Sequence, residues 1–483
     1  MQVRLVASRY NVVTPAYVSD VALAFNTASG SFAPVHGEQR AIWQDILSAD
    51  HVIWSEDASN APSSQRDEVV DFMFRNGFLV PEEVDELARM RQRYWSGRKA
   101  GQSGHLSLTV SPTVACNFRC GYCFQEHPQR RMQEPDRQAL VRFVEANLVE
   151  GGSLGVMWFG GEPVLAFDAL IELAQALQEV AESRGASYSH SMITNGSLLT
   201  REKAERMCAI ARPGFVQITL DGDAESHDRR RHTVGGKGTF DGIVANLKEI
   251  AGVVPVTIRM NVDKTNVNRI EPLVVGLEEE GLKDRLSVYL GHVQEFTEAC
   301  DEMNGTDLTI QEFAEAEANL GALLLCRGWS VGGGLPRPPS GPICTADNPN
   351  GYVISPGGLV FRCWNEAAQG RADAWGHLSD DGALAIRRRS HVFEDFDAFS
   401  HEACASCRVA PLCRGGCPWE ATKYGPEETG HCTPMRFNLE DKLRAYHLRT
   451  SIRRSAEDPA GALSDDEPVP QAASVELRPT VSG

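Results

Sequence analysis

The chain has 483 residues, 42% of them hydrophobic, enough for a large core and two or three domains. Its 47 basic and 65 acidic residues leave a formal charge of −18, which argues against a surface built to neutralise phosphates or anionic lipid headgroups, so neither nucleic acid nor membrane is an expected partner. The N-terminus lacks a charged start followed by an apolar core, and apolar runs such as 320–326 fall far short of the ~20 residues of a membrane span, so a cytoplasmic protein is expected, in which thirteen tightly spaced cysteines point to metal rather than disulfides.

Residues 1–104 read as a small α+β, winged-helix-like domain. An apolar run at 18–26 and a turn at Ser29-Gly30 precede a helix carrying Ile42, Trp43, Ile46 and Leu47. Val69, Phe72 and Met73 mark a second helix, stopped at Asn76-Gly77, and Val84, Leu87 and Met90 a third, followed by a polar linker over 96–103. Val21, Leu23, Phe25, Ile42, Ile46, Val69 and Phe72 are expected to form a core of this domain's own.

From residue 105 to about 310 short β-rich runs alternate with helical ones. The strand candidates are 106–110, 154–159, 188–193, 215–220, 254–262 and 286–290. Leu140, Phe143, Val144 and Leu148 after Pro135, and Leu170, Leu173, Leu177 and Val180 after Pro163, recur at helical spacing. Six strand-helix repeats imply an α/β fold with a parallel sheet and right-handed crossovers, a partial (β/α)6 TIM-type barrel with its chemistry at the C-terminal strand ends. The arginine triplets 229–231 and 387–389 read as solvated faces. After about 340 the alternation fades and seven cysteines among glycine-rich turns suggest a metal-stapled domain over 311–454, with a disordered polar tail over 455–483.

Cys116, Cys120 and Cys123 follow the first barrel strand in a loop whose thiolates can take three corners of a four-iron, four-sulfur cluster. The fourth iron is left open to chelate the amino and carboxylate groups of S-adenosyl-L-methionine, beside which one electron can cleave the sulfonium. The run Cys116-Asn-Phe-Arg-Cys120-Gly-Tyr122-Cys123 resembles the signature of the radical S-adenosylmethionine superfamily. Gly160-Gly161-Glu162-Pro163, after the second strand, is similar to that family's Gly-Gly-Glu-Pro motif, whose carbonyls meet the methionine amino group, and glycines permit close approach. Thr194-Asn195-Gly196 ends the third strand, Thr219-Leu-Asp221-Gly222 the fourth, with His227-Asp228 and Arg231 after it, and Arg259 and Asn261 end the fifth. The resemblance implies that Tyr122, Asn195, Thr219, Asp221, Arg231, Arg259 and Asn261 also line the cofactor. It names no catalytic acid or base.

Cys344, Cys363, Cys404, Cys407, Cys413, Cys417 and Cys432, with Gly358 ahead of Cys363, resemble the SPASM domain, which holds two auxiliary clusters in peptide-modifying enzymes. The resemblance gives Cys344, Cys363 and Cys417 to the inner cluster and Cys404, Cys407, Cys413 and Cys432 to the outer, making three [4Fe-4S] clusters in all. Seven thiolates are one short of eight. The inner cluster then has an open iron, a non-cysteine ligand, or a thiolate from Cys300, Cys326 or the substrate, although Cys208, Cys300 and Cys326 read individually as ordinary buried cysteines.

The N-terminal stretches Ser8-Arg-Tyr-Asn11 and Asn76-Gly-Phe-Leu-Val80 resemble the leader-binding region of ribosomal-peptide maturases. The implied function is a radical oxidoreductase that installs a thioether or carbon-carbon cross-link in a precursor peptide, drawing electrons from a donor such as flavodoxin or ferredoxin. One alternative is oxidation of a protein Cys or Ser, as in anaerobic sulfatase maturases, from which the chain departs by its missing eighth cysteine and its N-terminal domain. The other is a non-catalytic iron-sulfur electron carrier or peptide-binding scaffold.

Overall fold

The computed structural model describes residues 2–17, 20–55, 64–99, 104–294, 305–330, 334–367, 373–387, 391–424 and 431–457. Two compact units divide the chain, one of residues 1–96, 333–340 and 397–482, the other chiefly of 97–332 and 341–396.

In the first unit β1 (Gln2–Ala7) pairs antiparallel with β5 (Val52–Ser55) and β6 (Leu79–Pro81), and β3 (Val21–Asn26) pairs antiparallel with β2 (Asn11–Pro15) and β4 (Phe32–His36). Helices α1 (Gln39–Ser48) and α2 (Gln65–Arg75) follow the expected periodicity, whereas α3 (Glu86–Lys99) begins only after Val84 and takes in residues 96–99 of the expected linker. Ser64 caps α2 by accepting from the Asp67 amide, and Gly77, at φ +79°, lets the Phe78 amide reach back to the Met73 carbonyl at 2.8 Å.

The expected self-contained core is not what forms. Side chains alternate across a strand, and β3 uses both faces. Ala24 and Ala22 pack with Leu5, Trp43, Ile46, Val69 and Met73, whereas Val21, Leu23 and Phe25 pack with Val12, Val409, Leu412, Leu439 and Leu443. Three of the seven residues expected in that core, Val21, Leu23 and Phe25, are thus buried by the C-terminal segment, including the helix Met435–Glu457. Phe72, expected inside, is 39% exposed.

The second unit contains the barrel. β7 (His105–Val110), β9 (Ser153–Trp158), β10 (Ser187–Thr194), β11 (Val216–Thr219), β13 (Val256–Val262) and β14 (Leu286–His292) are parallel and adjacent in chain order, each within two residues of its expected limits. Helices α4 (Glu134–Asn147), α5 (Phe167–Ser183), α6 (Arg201–Ile210), α7 (Ala224–Arg230), α8 (Phe240–Ile250), α9 (Ile270–Glu279) and α10 (Ile310–Cys326) bury apolar side chains or, in α7, Ser226 and His227. This is a partial (β/α)6 barrel. Between the repeats, β8 (Phe118–Cys120) and β12 (Arg231–Thr233) form a small antiparallel ribbon.

The regular structure does not end near residue 340. β15 (Gly351–Ser355) joins the sheet parallel to β7, and β16 (Leu359–Phe361), β17 (Gly376–Leu378) and β18 (Leu384–Ile386) extend it antiparallel to ten strands. Three-residue strands are too short to show a period of two. The first hairpin turns on Gly357 and Gly358, at φ +82° and +65°.

Among the other expectations, Cys326 is exposed and Cys208 only half-buried, so neither is an ordinary core cysteine. Cys300, Arg388, Arg389, the linker over 100–103 and the tail after 457 lie outside the described residues. No described helix is long and apolar enough to cross a membrane.

Candidate functional site

Cys116, Cys120 and Cys123 lie just past β7, and the β8–β12 ribbon sets Cys120 directly opposite Arg231. Burial pushes the Cys116 thiol up to about 11 and Cys123 up to about 12, and raises Cys120 as well. Cys116 and Cys123 both lie within reach of the Cys120 charge. Three half-buried thiols this close resist losing their protons together, so a bound cation is what would make thiolates of them. The Phe118 amide donates to Cys116 Sγ at 3.4 Å, and His127 Nε2 lies 3.4 Å from Cys123 Sγ. His127 was not among the sequence candidates, and its only signal is its place four residues after the third cysteine.

The Gly160–Pro163 turn ends β9 against the stem of this loop. A Cβ on Gly160, at φ +125°, would meet the Thr113 carbonyl oxygen at 2.4 Å, and one on Gly161 would meet Ala115 and Val114 carbonyl oxygens at 2.3 and 2.5 Å. The Gly161 amide donates to Thr113 at 3.2 Å and the Glu162 amide to Ala115 at 2.9 Å. The close approach that demands glycine is therefore already made, by the chain's own backbone.

Glu162 is fully buried and its carboxylate accepts from the Val164 amide at 3.0 Å, Thr194 Oγ1 at 2.8 Å and the Asn195 amide at 2.7 Å. Burial holds its pKa above the ordinary carboxylate value despite those donors. Pro163 starts the turn into α5. Asn195 Nδ2 in turn donates to Asn117 Oδ1 at 2.9 Å, tying the end of β10 to the residue beside Cys116.

A second network joins the cysteine loop to the fourth and fifth barrel strands. The Tyr122 hydroxyl donates to Asp221 Oδ2 at 2.5 Å and accepts from Asn261 Nδ2 at 3.0 Å and from Arg231 Nη1. Asp221 Oδ1 accepts from the Asn261 amide at 2.9 Å. Arg259 Nε donates to Asn261 Oδ1 at 2.7 Å, and its guanidinium fills the space that a Cβ on Gly291 would need. Thr219 is buried opposite Arg259 in the β11–β13 register.

The triplet 229–231 is a solvated face only at Arg229. Arg231 is buried in this network, and Arg230 reaches into it with its side chain 11% exposed. Arg230 lies 5.0 Å over the Tyr122 ring and pairs with Asp263 at 2.7 Å. The ribbon turns these side chains inward, which charge counting cannot foresee. Arg230 and Asp263 join Asn117 and His127 as site neighbours that sequence reasoning missed.

Cys404, Cys407, Cys413 and Cys432 line a single pocket with His431 and Arg436. Burial pushes Cys404 up to about 11 and Cys413 up to about 12. The Val409 amide donates to Cys407 Sγ at 3.4 Å, and Arg436 Nη1 to Cys432 Sγ at 3.1 Å. Gly416, at φ +72°, brings its backbone so near His431 that a Cβ would lie 2.0 Å from the carbonyl oxygen. Among the described residues no three His, Cys, Asp or Glu side chains stand close enough to grip a single ion.

Cys344 and Cys363 belong to the barrel unit and Cys417 to the other. Burial pushes Cys344 up to about 11. Arg362 links the two barrel-unit cysteines: buried beside Cys363, it donates to the carbonyls of Ala346, Asn348 and Gly351 at 3.2, 2.7 and 2.8 Å in the turn after Cys344.

Residues 110–274 match the Radical SAM superfamily. Mycofactocin maturase MftC of Mycolicibacterium smegmatis is 28% identical over 339 residues, 66% of this chain and 79% of that protein. A cysteine-type anaerobic sulfatase-maturating enzyme of Clostridium perfringens is 25% identical over 355 residues, 65% of this chain and 88% of its own. The solved structure of native anSMEcpe with bound AdoMet and Kp18Cys peptide superposes with a TM-score of 0.53 at 18% identity, covering 73% of this chain and 99% of that one.

Proposed function

We propose, from the premise that this chain is an enzyme with a radical SAM domain over residues 110–274, that it matures a ribosomally made peptide by installing a thioether or carbon-carbon cross-link. The observation that carries the reading is the meeting of Cys116, Cys120 and Cys123 with the Gly160–Pro163 turn and the Tyr122–Asp221–Asn261 network at one end of the barrel strands.

Cys116, Cys120 and Cys123 would hold the first cluster, Gly160, Gly161, Glu162 and Pro163 would offer backbone groups to the cofactor's methionine end, and Tyr122, Asn195, Thr219, Asp221, Arg231, Arg259 and Asn261 would line it. When bound, cluster and S-adenosylmethionine supply a 5′-deoxyadenosyl radical that takes a hydrogen atom from the substrate. The protein's share is to keep the loop fixed and the cofactor's polar ends paired, with Arg231 suited to a carboxylate.

Two auxiliary clusters, at Cys344, Cys363 and Cys417 and at Cys404, Cys407, Cys413 and Cys432, would bring the total to three. They would take up the electron released when the new bond closes. A flavodoxin or ferredoxin would deliver the electron that starts each cycle. The named relatives support a peptide or protein substrate, and the sulfatase-maturating relative supports the second reading, oxidation of a protein Cys or Ser.

Reduced without oxygen, the protein is expected to form 5′-deoxyadenosine from S-adenosylmethionine. Co-expressed with a short open reading frame beside its gene, it is expected to yield a peptide lighter by two hydrogens whose tandem mass spectrum lacks fragments between the linked residues. A mass change confined to one Cys or Ser would favour the second reading, and absence of 5′-deoxyadenosine would leave only a carrier or scaffold.

The leader segment would dock on the N-terminal sheet. Ser8, Asn11, Gly77 and Phe78, which suggested leader binding, spend their polar atoms around the buried Asn26, whose Nδ2 reaches Ser8 Oγ, Asn11 Oδ1 and the Gly77 carbonyl at 2.9, 2.9 and 2.8 Å. The better candidate is β5, an edge strand among the described residues with Ile53 52% exposed, which would accept an added peptide strand. Ile53→Asp is expected to weaken binding of the full precursor at least ~10-fold, because a charge on an edge strand opposes pairing, and to leave peptide-free cofactor cleavage unchanged. Fluorescence anisotropy with a labelled leader reads this, and unchanged affinity refutes docking on β5.

A further inference from the structure

We propose that Arg436 sets the reduction potential of the outer auxiliary cluster and poises that cluster to accept a single electron. The proposal rests on the reading that Cys404, Cys407, Cys413 and Cys432 hold a cluster, and goes beyond it by giving that cluster a tuning residue.

Arg436 stands four residues after Cys432, in the first turn of the helix Met435–Glu457, and its Nη1 donates to Cys432 Sγ at 3.1 Å. It lines the same pocket as all four thiols. Among the described residues no carboxylate pairs with it, whereas Arg444 on the same helix is bound by Glu440 and Asp441 at 3.2 and 2.8 Å. Among the described residues the Arg436 charge is thus hydrogen-bonded to a thiol and paired with no carboxylate.

Two further features act in the same direction. The positive end of a 23-residue helix begins three residues after Cys432, and the Val409 amide donates to Cys407 Sγ at 3.4 Å. Reduction adds one electron to the cluster and forms or breaks no bond. A hydrogen-bond donor and an uncompensated cation beside the thiolates stabilise the more negative, reduced form, and so raise the potential. In turnover the electron would come from the substrate radical as its new bond closes; in a titration it comes from dithionite.

The test is an EPR-monitored redox titration of the full-length, anaerobically reconstituted protein. Arg436→Gln is expected to keep its iron while one of its cluster transitions moves to lower potential, and Arg436→Lys, which keeps charge and donor, to restore most of the shift. A protein lacking Cys404 and Cys407, titrated alongside, identifies the transition by its disappearance. An unchanged potential in Arg436→Gln overturns the proposal, and so does loss of iron from that variant, since Arg436 would then be needed for assembly rather than tuning. If removing Cys404 and Cys407 deletes no transition, the four-thiolate reading itself has failed and the proposal falls with it.

Discussion

Gly161→Ala is expected to reduce 5′-deoxyadenosine formation at least ~100-fold, the scale of loss that a misplacement of about 1 Å at a reacting centre produces. The added Cβ would lie 2.3 Å from the Ala115 carbonyl oxygen and 2.5 Å from that of Val114. Both are backbone atoms, so no side chain can swing aside. The stem carrying Cys116 has to move, and with it the amide bonds from Gly161 and Glu162 to Thr113 and Ala115. Overpacking of this kind costs about 1–3 kcal/mol of stability, which leaves a large folded domain folded. Gly242 in α8 provides the control, since a Cβ there meets nothing within 4 Å. Gly242→Ala is expected to be neutral or slightly stabilising with cleavage intact. Anaerobic product assay and thermal unfolding of both variants decide the matter: full cleavage in Gly161→Ala would mean that the turn does not position the cysteine loop.

Replacing Cys116, Cys120 and Cys123 together by Ala is expected to remove about a third of about twelve iron atoms and all S-adenosylmethionine cleavage. The loss should be confined to this loop, because the four thiols around Arg436 lie in the other compact unit, within the stretch 397–482. Cleavage should be lost even though the hydrogen bonds among Tyr122, Asp221, Arg231 and Asn261 survive, since these side chains would orient a cofactor and supply no electron. Iron analysis with 5′-deoxyadenosine quantification checks both halves. Cleavage surviving in the triple variant would sink the central reading of this protein.

What could be read from sequence follows from what has a period or a spacing. The six barrel strands are four to eight residues long and separated by amphipathic helices, so each was located within two residues. Motifs at successive strand ends then brought Tyr122, Glu162, Asn195, Asp221 and Asn261 into two connected networks. The three-residue strands β8 and β12 carry no periodicity, so nothing in the string of residues indicates that Arg231 sits opposite Cys120 or that Arg230 lies over the Tyr122 ring. β16 to β18, also three residues long, escape for the same reason. The N-terminal core was misjudged because burial of Val21, Leu23 and Phe25 comes from residues at the far end of the chain, beyond the reach of any local pattern.

That shared packing has a consequence for how the protein is made. Thr14 Oγ1 hydrogen-bonds Glu440 Oε2 at 3.0 Å across 426 residues of sequence, and the apolar face of β3 beneath it waits just as long for Leu439 and Leu443. On the ribosome these strands emerge before residues 409–443 and cannot finish folding until that later segment has been synthesised. For that interval an apolar stripe stays uncovered, the condition in which nascent proteins aggregate or engage chaperones. The four thiols at 404–432 share that late-formed wall, since Cys407 packs against the same apolar cluster.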